Sequence, residues 1–251
     1  MTKALPLFFL LAVLGTSNAS AQKGRPAAKA RAAEIGQSAV VLDETLSVLR
    51  DRPSLFANGI QRMRRGRKIT ISGVAEADGV KFFKVAAPPA NFGWVQSDAV
   101  FGKFRPADDS RLAALVRASS GFEQIELADE FFTLFPASPS RMAVLLLYGD
   151  LLEEVAVKLS KDANRQLSRA EMAATAAPLH SYFLNYVSLD RYRKLGVVYL
   201  FNSSTKTFHY DGASWKEIVT KHAASSEATE ARKRLDLLRR KMDRKANSPV
   251  Q

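Results

Sequence analysis

The sequence predicts a multidomain α+β protein: a small closed β-barrel over residues 38–102, followed by an irregular α-helical domain, hairpin-like or repeat-like, over 108–245. Three observations predict it. Short β-branched and aromatic runs, punctuated by glycine and proline, crowd the first stretch. After Gly102 apolar residues recur at three- and four-residue spacing. With Cys 0 no disulfide framework is available, so each part must hold itself together with a core of its own.

Ahead of both parts, Met1 to Ala21 carries one positive charge at Lys3, an apolar run from Leu5 to Leu14 and the small residues Ala19-Ser-Ala21. That is the pattern of a cleaved secretory signal, with cleavage after Ala21. Its apolar run of about ten residues is roughly half of what crosses a bilayer, so no transmembrane anchor is expected after cleavage. Residues 22–37 are rich in alanine and basic residues and hold one bulky side chain, Ile35, which predicts a flexible basic linker.

In the β part, Ala39-Val-Val-Leu42 and Leu46-Ser-Val-Leu49 are brief apolar pieces and Lys68-Ile-Thr-Ile-Ser72 alternates with period two. Val80-Lys-Phe-Phe-Lys-Val85 is aromatic and β-branched, and Gly93-Trp-Val95 is a further compact piece. An open sheet of such short strands would leave exposed edges, which argues for closure. In the helical part, periodicity marks helices over about 109–117, 122–135, 140–159, 213–222 and 226–245, with Pro136 and Pro139 separating the second from the third. A short helix is expected at 168–172, and 246–251 reads as a disordered tail. Val197–Phe201 and Thr207–Tyr210 fit either helix or a two-stranded hairpin turned at 202–204, and propensity does not choose between them.

Leu46 to Ser54, Arg62 to Ile71, Val80 to Val85 and Gly93 to Ser97 together resemble a bacterial SH3 (SH3b) domain in order and spacing. The resemblance covers about 60 residues. Members of that family attach exported proteins to peptidoglycan or peptides and are not catalysts, which implies a recognition module. On that reading Arg50, Arg52, Arg65, Phe82 and Trp94 are the candidate ligand-binding residues, the arginines meeting carboxylates or phosphates and the aromatics lining a groove. This chain departs from the family where a tryptophan usually precedes the central strand, the position being held by Val80 or Phe82.

Phe131 to Pro139 followed by Met142 to Asp150 resembles the junction between tetratricopeptide-like repeats, with Gly149 where a crossing helix must approach closely. A fainter echo runs from Trp215 into Ala228 and Ala231. Two echoes are too few for a solenoid. The polar cluster at 190–194, beside aromatics, offers Arg191, Tyr192 and Arg193 as candidates for a protein interaction.

Lys+Arg 37 against Asp+Glu 25 gives a formal charge of +12. In an exported protein that favours attraction to an acidic envelope surface over nucleic acid. No cysteine nucleophile exists, and the three histidines stand in no zinc-binding spacing, so neither a metal nor a cofactor is expected. The expectation is therefore a non-catalytic envelope protein, periplasmic or secreted, that binds peptidoglycan or an envelope protein or peptide. The alternative is a wall-active hydrolase whose two carboxylates lie far apart in the helical part.

Overall fold

Ala39-Val-Val-Leu42 is a continuous apolar run because it is buried on both sides. In the computed structural model, which describes residues 32–87, 91–167 and 178–244, Ala39 and Val41 enter one core and Val40 and Leu42 another. The secretory pattern at 1–21, most of the 22–37 linker, the short helix at 168–172 and the tail at 246–251 fall outside the described residues.

The first core belongs to a seven-stranded antiparallel sheet. Its strands are β1 (Ser38–Val41), β2 (Val48–Arg50), β3 (Gly59–Arg62), β4 (Lys68–Ala77), β5 (Val80–Ala87), β6 (Asn91–Gln96) and β7 (Val100–Phe101), arranged β3-β2-β6-β5-β4-β1-β7. One face gathers Leu49, Met63, Ile69, Ile71, Phe83, Val85 and Val95 around Val41. β4 and β5 are joined at Asp78-Gly79, whose φ values of 53° and 72° suit a tight hairpin turn.

The closed SH3-like barrel expected over 38–102 does not form. The sheet is open: β3 ends one side, β7 ends the other, and the two do not pair. β7 is two residues long before the chain turns into helix, so it offers little backbone for closure. Phe101 of β7, with Val40 and Leu42, packs into the helical core, so this part of the sheet has helices on one face.

The helices are α1 (Asp108–Ala118), α2 (Gly121–Leu134), α3 (Arg141–Leu167), α4 (Leu179–Leu184), α5 (Asp190–Arg193), α6 (Ala213–Lys221) and α7 (Ser226–Asp243), with the hairpin β8 (Tyr199–Asn202) and β9 (Thr207–Tyr210) between α5 and α6. Sheet and helices are pinned at the start of α1. There the fully buried Asp108 accepts from Gly102 N at 2.9 Å, Arg105 Nε at 2.9 Å and Arg111 Nη1 at 2.6 Å. A second pin is Arg65, bonded to Glu126 at 2.9 Å, to Glu123, and to the Leu42 carbonyl.

Nor do the described helices form a tetratricopeptide-like repeat. α3 runs 27 residues, about 40 Å, past the predicted end near 159, and the β8–β9 hairpin packs on it where a repeat would place another helix. Gly149 does mark a close approach, but by an indole: an added Cβ would lie 2.3 Å from Trp215 Nε1. No helix among the described residues is long and apolar enough to cross a membrane.

Candidate functional site

Four segments that are distant in sequence meet at one cleft of about 300 Å³. α2 supplies Asp129 and Phe132; α3 supplies Arg141, Leu145 and Tyr148; the 195–198 turn forms the rim; and Tyr210, Asp211, Ser214 and Glu217 close the far side. Each side chain is there for a local reason. Asp129 stands four residues after Ile125 and three before Phe132, flanking the apolar stripe by which α2 packs, so the helix that buries Ile125 and Ala128 carries a carboxyl partly inward with them. Gly212, with φ 79°, turns the chain out of β9 into α6 in the left-handed conformation that glycine tolerates. The turn sets Ser214 against the hairpin, and Ser214 N donates to Tyr210 Oη at 2.8 Å.

The charges in the cleft are unequally matched. Arg141 donates to Glu217 Oε1 from Nε at 3.1 Å and from Nη2 at 2.8 Å, while its Nη1 reaches the Phe132 carbonyl at 3.3 Å. Lys221 adds a bond to the same Glu217 oxygen at 3.2 Å. Burial pushes the Glu217 carboxyl up, but the hydrogen bonds from Arg141 and Lys221 outweigh it and hold the group below the ordinary carboxylate range. Asp129 has neither a hydrogen bond nor an ion pair among the described residues, and burial alone pushes its carboxyl up. Burial likewise raises the Tyr148 hydroxyl, with Asp129 adding to the effect. Ser214 is 3% exposed, and its Oγ finds no partner within hydrogen-bond geometry.

The walls are aromatic. The Phe132 and Tyr148 rings meet edge to face with centroids 5.4 Å apart, and the Arg141 guanidinium lies 5.1 Å from the Phe132 centroid. Tyr210 meets Trp215 edge to face at 5.5 Å. Such a mostly apolar hollow with a few polar groups converging on it is the usual form of a small-molecule site, and its volume is at the low end for one.

None of the residues picked out from the sequence lines this cleft. Arg50, Trp94 and Phe82 do share one face of the sheet, Arg50 opposite Trp94 and Phe82 opposite Gln96. They make no open groove: Phe82 is fully buried, Trp94 is half-buried, and Arg50 Nη1 is bonded to the Ala57 carbonyl at 2.8 Å. Arg52 is exposed on the loop after β2. Arg65 is bound to Glu123 and Glu126 of α2 rather than presented to a ligand. The peptidoglycan-recognition role implied by the SH3 resemblance falls with the barrel on which it depended. Arg191 stacks over Phe122 and Tyr192, with centroids at 4.9 and 4.7 Å, and bonds Tyr192 Oη at 2.7 Å. Arg193 bonds Asp190 and the Leu184 carbonyl.

The sequence patterns read above do not single out Asp129. The usable signal was different: a charge placed beside an apolar helical stripe. Arg141, Tyr148, Ser214 and Glu217 come from separate segments, and nothing local marks them. Among the described residues no group of three or more potential ligands is placed to hold a metal ion. Comparison with family models, curated proteins and solved structures finds no match for this chain.

Proposed function

We propose that this protein is a small-ligand-binding protein whose site is the cleft between α2, α3, the 195–198 turn and α6. One observation carries the reading: Asp129 is a half-buried carboxyl with no hydrogen bond or ion pair among the described residues, set in an aromatic hollow. Buried polar groups are normally paired, and those that are not are accounted for by a function or an unseen partner. Binding is favoured over chemistry because Glu217, the other acid at the far wall, is already engaged by Arg141 and Lys221. Among the described residues no side chain is hydrogen-bonded to Asp129, so it is coupled to no nucleophile there. We also infer export from the Met1–Ala21 pattern, which would place the cleft among solutes outside the cytoplasm.

The test is a fragment screen by saturation-transfer NMR on the full chain beside Val198→Trp. Val198 is 53% exposed at the rim, so the indole covers the mouth without entering the core. Fragments that bind the wild type and are lost from the variant are the expected result. Hits retained equally by the variant, or no hits, would remove the cleft as the binding site.

A further inference from the structure

We propose that the ligand of this cleft is a small organic monocation, a primary ammonium or a guanidinium on a flat apolar body, with Asp129 as its counter-ion. The inference rests on the cleft being a binding site and specifies what that site selects.

The first argument is charge. The cleft is lined by three carboxylates, Asp129, Asp211 and Glu217, against one guanidinium, Arg141, and with Lys221 bonded to Glu217 from outside the lining the site still keeps a negative excess. The whole chain carries +12. A negative hollow in a positive molecule repels anions at the point of entry and concentrates cations there, because low-dielectric walls focus the local field. The second argument is the division of labour between the acids. Glu217 takes Arg141 and Lys221, and Asp211 accepts from Ala213 N at 3.0 Å. Asp129 alone retains its full capacity as an acceptor. A neutral donor would restore a hydrogen bond but leave the charge unbalanced, and an anion would add repulsion; a cation supplies both the hydrogen bond and the opposite charge.

The third argument is the wall. Phe132 and Tyr148 meet edge to face and give the cleft an aromatic side for a flat apolar body, while the Phe132 ring is itself taken by the Arg141 guanidinium at 5.1 Å, which leaves the ligand's charge to Asp129. About 300 Å³ admits a ligand of roughly one ring and a short arm.

The experiment is an amide-resolved NMR titration of the full chain with four probes: benzylammonium, phenylguanidinium, benzyl alcohol and benzoate. Wild type, Asp129→Asn and Val198→Trp are compared. Saturable shifts at Gly196, Val198, Ala213 and Ser214 are expected for both cations, with benzyl alcohol about tenfold weaker or more and benzoate silent. Asp129→Asn should bring the cations down to the affinity of the alcohol while leaving the alcohol unchanged, and Val198→Trp should abolish binding of the two cations and the alcohol. Equal affinity for cation and alcohol, or cation binding that Asp129→Asn does not weaken, overturns the cation assignment but leaves the cleft a binding site. Absence of shifts with every probe, in a wild type whose spectrum is well dispersed, overturns both.

Discussion

An ionised carboxyl held partly out of water without a partner raises the free energy of the folded state, because the charge has lost hydration and gained nothing in return. Asp129 is in that position, and its carboxyl is pushed above the ordinary range by burial. The stability linked to such a group is fully present below the unfolded pKa, near 3.9, and is lost as pH rises through the folded value. At neutral pH Asp129→Asn should therefore stabilise the unliganded protein, by about 0.5–2 kcal/mol. The advantage should shrink as pH falls toward about 4, where the wild-type side chain also becomes neutral. Thermal unfolding of both proteins at pH 7 and at mildly acid pH measures it. A variant that gains stability while losing a ligand is the mark of a residue kept for binding, whereas a structural carboxylate would show the opposite sign.

Between elements, Glu153 joins three parts of the helical side. Its Oε1 accepts from His209 Nδ1 at 2.9 Å and Lys241 Nζ at 2.7 Å, and its Oε2 accepts from Tyr210 N at 2.9 Å, so α3 is tied to β9 and to α7. Burial acts to raise this carboxyl, but the bonds from His209, Lys241 and the Tyr210 amide overcome it and the group is held low. Its contribution is present above the unfolded pKa of about 4.3 and disappears as pH falls through the lower folded value. Glu153→Gln should cost about 1–3 kcal/mol at pH 7. In denaturant titrations across pH 3–7 the gap to wild type should close on the acid side; a gap that stays constant would mean the carboxylate's charge is not what matters. The same region shows where sequence reading stops. The 197–210 segment was open between helix and hairpin, and what decides for the hairpin is distant: Asn202 Oδ1 accepts from Ser204 N and Thr205 N, while its Nδ2 donates to the Lys241, Met242 and Arg244 carbonyls at the end of α7. Local propensity contains nothing about a helix terminus some 40 residues ahead.

For the molecule as a whole, strand and helix positions were legible because periodicity records which faces are buried; the arrangement was less so, because periodicity does not say what buries them. The run at 39–42 was visibly apolar, yet only the structure shows that its second face meets helices and that the sheet is open instead of closed as a barrel. The arginines taken for ligand contacts divide on the same ground. Arg65, with a side chain 11% exposed, spans sheet and α2, whereas Arg52 is 74% exposed. Arg65→Ala should lower stability by about 1–3 kcal/mol, and Arg52→Ala should stay within about 0.5 kcal/mol of wild type; chemical denaturation of the pair decides. The cleft was not legible at all, since α2, α3, the turn after α5 and the start of α6 must come together before Asp129 is enclosed and left alone. That isolation is the central claim, and carbon-detected NMR titration of the Asp129 side-chain carboxyl in the unliganded protein tests it most directly. A pKa above the unperturbed value of about 3.9, falling when a saturating organic cation is added, is the result predicted; an ordinary or depressed value that the cation does not move would contradict it.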